Sequence, residues 1–212
     1  VLTPALRALH ESYPDAELHL LVPAEIAPLF EHLPWLTQVW AMPRQRGSAN
    51  LRATWPLVRA LRRERFDRSV DFAGNDRGAI LSFLIGAGRR LGWAERGGFV
   101  GRRLLYTDRV VPETGVMHES LRLARLLGGW RVPPPRSLEA EIRADVALDG
   151  EAAEILPDEG VVICHVASSQ PKKEWPLAYW AELLRLASAA GHRMVFTTAK
   201  GERERSLMAE LK

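Results

Sequence analysis

Gly160-Val161-Val162-Ile163-Cys164-His165-Val166, followed at once by Ala167-Ser168-Ser169-Gln170-Pro171-Lys172-Lys173-Glu174-Trp175-Pro176, is the stretch on which the fold turns. Its first seven residues are a near-continuous apolar run. That reads as a strand buried on both faces, the habit of parallel sheets. The ten-residue loop after it, with six polar or charged residues, leads into a helical period over 176–190, and Pro176 suits a first helical turn. A strand over 193–198 and a helix over 202–211 continue the alternation. Strand, polar loop and helix in repetition define βαβ units and a parallel sheet.

The same alternation runs through the chain ahead of this stretch. Helical spacing covers 3–12, with Pro4 at its start, and a strand over 17–22 ends at Pro23. A helix over 24–32, a strand over 38–42 and a helix over 50–65 come next, then strand 67–72, helix 76–85 and strand 88–93. Polar, basic loops fill 43–50 and 94–103. A strand over 104–111 and a helix over 117–127 close this half. Pro133-Pro134-Pro135 cannot sit in a helix or a central strand. It opens a linker that holds an isolated strand-like piece at 138–142. The fold class is therefore α/β, with two Rossmann-like domains. Residues 1–135 form the first, 136–159 an acidic linker region, and 160–212 the start of the second. Val1 falls inside a strand–helix transition and Lys212 inside a helix, so the second domain is expected to be incomplete here.

At 212 residues, 47% hydrophobic and 26% charged, the composition is that of a globular protein with a real core. No apolar run approaches the ~18 residues of a membrane-spanning helix. The single Cys164 excludes an internal disulfide framework and a cysteine-ligated structural zinc. Charge is unevenly distributed. Residues 43–109 hold fifteen arginines and no lysine against six carboxylates, while the rest of the chain has a deficit of six. A one-sided arginine field points to an anionic partner, because the guanidinium fork fits phosphate and carboxylate.

Three places can carry chemistry. Ligands of open α/β sheets bind beyond the carboxyl ends of strands. The loop 167–176 sits there with two hydroxyls, two ammonium groups and a helix start, and a diphosphate is its natural guest. Asp71, in Phe66-Asp67-Arg68-Ser69-Val70-Asp71-Phe72-Ala73-Gly74-Asn75, ends a strand before a glycine turn. It can serve as a base, a hydroxyl binder or a turn-former, and a structural or sugar-binding role is favoured over catalysis. In Ala199-Lys200-Gly201-Glu202-Arg203-Glu204, a carboxylate can accept from ribose or sugar hydroxyls, or simply place favourable charge in a helix first turn. His118 and His165 read as packed or capping residues. The chain has no HExxH, GxSxG or Walker loop.

At these places the sequence resembles the lipopolysaccharide heptosyltransferases, glycosyltransferase family 9. The resemblance rests on Leu2-Thr3-Pro4-Ala5-Leu6-Arg7-Ala8-Leu9 with Tyr13-Pro14-Asp15-Ala16, and on Phe66-Asp67 through Asp71 and Gly74. It continues in Ala87-Gly88-Arg89-Arg90-Leu91-Gly92-Trp93 and in Ser168-Ser169 with Lys173-Glu174-Trp175-Pro176. It implies a GT-B fold and transfer of a heptose from ADP-heptose to the inner core of nascent lipopolysaccharide, with no cofactor and no obligatory metal. It also implies a cytoplasmic protein in peripheral contact with the inner membrane surface. Lys173, Ser168 and Ser169 would hold the donor and stabilise leaving-group charge, with Glu202 or Glu204 as a further donor contact. The general base would lie in a Gly-Asp pair ahead of Val1. The anionic acceptor is expected on Arg59, Arg62, Arg63, Arg102 and Arg103, with Asp71 beside it. The rivals are another GT-B transferase, a nucleotide-sugar epimerase, or a basic nucleic-acid binder. The last is weakened because Trp55 is the only aromatic among the arginines of 43–65.

Overall fold

The computed structural model describes residues 1–43, 51–94, 98–143, 145–156, 160–168, 170–198 and 201–210. They fall into two compact units, 1–144 and 145–212.

The first unit runs α1 (Thr3–Ser12), β1 (His19–Pro23), β2 (Gln38–Met42), α2 (Leu51–Arg63), β3 (Arg68–Val70), α3 (Asp76–Ile85), β4 (Arg89–Trp93), β5 (Asp108–Val110) and α4 (Glu119–Leu126). Every strand pairing is parallel. β1 pairs with β2, His19 opposite Gln38, and β4 lies between β3 and β5. α1 buries Ala5, Leu6 and Ala8, the apolar face of its helical spacing. With Leu91 and Trp93 of β4, Leu123, Ala124 and Leu126 of α4, and Leu127, Trp130 and Val132, Ala5 and Ala8 build the main core. Leu6 joins Leu20, Val22 and Ala27 in a second cluster.

α3 shows how local chemistry sets boundaries. Asn75 accepts from the Gly78 N–H at 2.9 Å as its N-cap, and Gly86 ends the helix at φ 82°, a left-handed conformation that favours glycine. The expected bounds of 76–85 hold to the residue, as do 3–12 for α1 and 38–42 for β2.

Three expectations need correction. The helix over 24–32 is a single 3-10 turn, Ala27–Leu29. Pro28 cannot donate to the carbonyl four residues back, and its ring crowds that turn. The piece at 138–142 is not a strand. Instead the Glu141 N–H donates to Thr3 Oγ1 at 2.9 Å, and its carboxylate pairs with Arg7 and accepts from Trp35 Nε1 at 3.4 Å. The Glu141 N–H that a ladder would use is thus given to a side chain of α1. The acidic stretch after it contains an unexpected helix, α5 (Val146–Ile155), which Asp145 caps by accepting from the Ala147 N–H at 3.0 Å.

The second unit continues with β6 (Val161–His165), α6 (Leu177–Ala189), β7 (Arg193–Thr197) and α7 (Glu202–Glu210). β6 and β7 pair in parallel, Cys164 opposite Phe196. The strand is where the apolar run placed it, but burial on both faces is not met. Val162 is 46% and Ile163 58% exposed, while Cys164 and Val166 are buried.

At the amino edge of the three-stranded sheet, Arg89 Nη2 donates to Asp108 Oδ1 at 2.7 Å, and the Arg68 and Arg89 guanidinium groups lie 5.4 and 5.8 Å from the Trp130 ring centroid. The Arg89 hydrogen bond, helped by Thr107, lowers the Asp108 carboxyl from 3.8 to about 2. A carboxylate held below its ordinary value stabilises the fold above about pH 4 and loses that contribution as pH falls toward 2. Both side chains are partly solvated, so the pair contributes only modestly. Asp108→Asn is therefore expected to lower the urea midpoint at pH 6 and to match wild type near pH 2. An equal loss at both pH values would show that the pair contributes through packing alone.

Candidate functional site

The loop after β6 is built around one carboxylate. Ser168 donates its N–H to Glu174 Oε1 at 3.0 Å, which closes the loop on itself. Glu174 Oε2 is paired with Arg203, in the first turn of α7. The Ser168 N–H, and after it Arg203, hold the Glu174 carboxyl below its ordinary value. Between these anchors Pro171–Lys173 form a 3-10 turn in which the Lys173 N–H donates to Gln170 O at 2.9 Å. Lys172 and Lys173 are exposed and have no side-chain partner among the described residues. Ser168 is half-buried, and its Oγ accepts from the Gln170 N–H at 3.4 Å. Ser169 lies outside the described residues, as do Ala199 and Lys200 of the β7–α7 turn.

Aromatic contacts seat the loop. Trp175 stacks on Tyr179 with centroids 5.6 Å apart and meets Trp180 edge-on at 5.0 Å, and Trp180 meets Phe196 of β7 at 6.0 Å. The ammonium groups therefore stand on a turn tied to a helix start, a strand and a second helix. Glu202 and Glu204 both fall in the first turn of α7. Glu202 is exposed, whereas Glu204 is half-buried with its carboxylate folded over Gly201. His165 Nδ1 lies 3.1 Å from Thr197 Oγ1, within the sheet edge. Sequence reasoning quoted Glu174 as part of a motif without its role and missed Arg203. No local signal links residues 29 positions apart.

In the first unit, Asp71 is buried at the end of β3 and spent on its own chain. Oδ1 accepts from the Ala73 and Gly74 N–H groups at 3.0 and 3.2 Å, and Oδ2 accepts from Tyr106 Oη at 2.6 Å. Burial, then the bond to Asp71, pushes the Tyr106 hydroxyl far above its ordinary value. Two glycines make room for the pair. A Cβ at Gly78 would strike the Asp71 carboxylate, and one at Gly92 would strike the Tyr106 ring. The glycine of the Arg89–Trp93 motif is thus a packing requirement.

The five arginines are not brought together. Arg62 donates to Leu84 O at 3.0 Å, in the last turn of α3, and Arg63 ends α2. Both stand near the amino edge of the sheet, about 15 Å of helix from the start of α3. Arg59, one turn earlier on α2, is exposed. Arg102 is buried and pairs with Asp76 at the start of α3, at 3.3 Å, while Arg103 beside it is exposed. A cleft of about 920 Å³ opens between the two sheets of this unit, lined by Leu20 and Val22 of β1 and by Val70 and Phe72 near the end of β3. Its lining mixes these apolar side chains with charged ones, among them Arg65, Asp67, Arg68 and Asp71. Asn75 and Arg77 lie at its polar end, and Arg77 Nη2 is buried with no partner among the described residues.

Residues 54–212 match the model of glycosyltransferase family 9 (heptosyltransferase). The chain belongs to this family. It is 26% identical over 208 residues to lipopolysaccharide heptosyltransferase 2 of Escherichia coli K12, an alignment that takes in 92% of this chain and 58% of the relative. The chain thus spans about three-fifths of that relative's length. Among solved structures, a family 9 glycosyl transferase from Veillonella parvula superposes with TM-score 0.82 at 15% identity, covering 99% of this chain and 60% of that one. E. coli heptosyltransferase WaaC with ADP-2-deoxy-2-fluoro heptose gives 0.73 at 20%, covering 98% and 67%. The α/β architecture is that of the GT-B transferases of this family.

Proposed function

We propose that the protein carrying this chain transfers a heptose from ADP-heptose to the anionic inner core of nascent lipopolysaccharide. The observation that carries the reading is Lys173 on its anchored turn beyond β6, in a chain of family 9. Departure of ADP places negative charge on the outer phosphate. An ammonium group carried on an anchored turn beside the start of α6 stabilises that charge as it forms. Ser168 and Ser169 serve the phosphates. Glu202 or Glu204 is the donor-contacting carboxylate of its turn, and Glu202 is the more exposed of the two. The proposal needs no resident cofactor or metal ion. It sets the enzyme against the cytoplasmic face of the inner membrane, and no helix among the described residues is long and apolar enough to cross it. Acceptor-dependent release of ADP from ADP-heptose tests the reading. Release from another nucleotide sugar would make it a different GT-B transferase, isomerisation of the sugar without ADP release an epimerase. Tight, steeply salt-dependent binding of DNA in place of either would make it a nucleic-acid protein.

For the acceptor, Arg103 is exposed beside the start of α3, whereas Arg62 is engaged at the other end of that helix. Arg102 holds Asp76 and acts through it, and Asp71 acts by shaping the turn. Arg103→Gln is expected to raise acceptor KM about tenfold at low salt, an effect of one charge-assisted contact that fades as salt rises. Arg59→Gln with Arg63→Gln leaves acceptor KM unchanged. The reverse pattern would move the acceptor to α2.

A further inference from the structure

Glu174 is a carboxylate inside a loop assigned to a diphosphate, where an unpaired negative charge opposes the ligand. It touches two things: the Ser168 N–H, six residues before it in the chain, and the Arg203 guanidinium from the next crossover. Its side chain is only 12% exposed, and that of Arg203 is 43% exposed. The two bonds have different consequences. The first fixes the curvature that presents Lys172 and Lys173 outward. The second cancels the carboxylate's charge and couples the loop to the turn that carries Glu202 and Glu204. From this geometry we propose that Glu174 and Arg203 form a latch that positions the phosphate-binding loop and screens it from its own carboxylate. They are positioning residues for the donor, and the inference rests on the donor reading above. Arg203 thus acts on ADP through Glu174. Its loss unmasks a negative charge near the phosphates, and removing that charge as well undoes the damage.

The test is calorimetric binding of ADP to the complete protein, with adenosine as a control that lacks phosphates. Arg203→Ala weakens ADP about tenfold and leaves adenosine unchanged. Adding Glu174→Gln to Arg203→Ala restores ADP affinity to within about threefold of wild type, since glutamine still accepts from Ser168 without the charge. Arg203→Lys binds ADP nearly as wild type. A double variant as weak as the single one, or equal losses for ADP and adenosine, would overturn the latch and leave a structural ion pair. Wild type that binds no ADP removes the donor assignment instead. In that event Ser168 amide exchange judges the latch alone: it speeds up in Glu174→Ala if the bond shapes the loop, and unchanged exchange overturns it.

Discussion

Lys173→Ala in the complete protein lowers turnover by about 100-fold or more while the fold survives, the size of effect seen when a preorganised charge donor is removed. Two features of the loop separate this from a folding defect. The side chain is exposed and has no partner among the described residues, so its removal falls in the class of surface changes worth less than about 0.5 kcal/mol. The backbone bond from the Lys173 N–H to Gln170 O does not depend on the side chain. The loss should fall on kcat and on kcat/KM alike, because charge on the departing diphosphate develops in the transition state. Lys172→Ala stays within about threefold of wild type. Wild-type turnover in Lys173→Ala would dismiss the role. A crippled Lys172→Ala would shift the assignment by one residue.

Asp71→Ala is expected to destabilise the first unit by about 2 kcal/mol. It strands the buried Tyr106 hydroxyl, where an unsatisfied donor costs roughly 1–3 kcal/mol, and leaves the less buried Ala73 and Gly74 N–H groups to water. Tyr106→Phe removes one of the three contacts and costs about 1 kcal/mol. Asp71→Asn keeps an oxygen for the turn and is milder still. Gly78→Ala drives a methyl group into the carboxylate and costs about 1–3 kcal/mol by overpacking. Urea midpoints read by tryptophan fluorescence and far-UV circular dichroism rank the series. An Asp71→Ala protein as stable as wild type, with a raised acceptor KM, would return Asp71 to direct sugar binding.

The sequence was legible where the determinants are local. Asn75 and Gly86 bracket α3 with a side-chain cap and a left-handed glycine, both readable from residue type. The strand–loop–helix order after residue 160 was legible for the same reason: strand, hydroxyls, lysines and Pro176 follow one another within seventeen residues. Legibility failed at Pro28, where a missing N–H outweighed helical spacing, and at 138–142, where the Glu141 N–H goes to Thr3 and its carboxylate to Arg7. It failed at α5 because acidic residues masked the helical period between Asp145 and Ile155.

The amino-acid order by itself determined the α/β alternation, the parallel strands, the loop that bears Lys173 and the arginine surplus, because periodicity, caps and charge are properties of neighbours along the chain. The tertiary structure alone decided which charges are free to act. Glu174 meets Arg203 across 29 residues, and Asp71 meets Tyr106 across 35. Parallel crossovers return each strand's carboxyl end to the same edge, so partners distant in sequence meet there. Arg62 and Arg103, alike in a composition count, were sent to opposite ends of α3 by the same crossovers, and only the fold shows that one caps a helix and the other stands open.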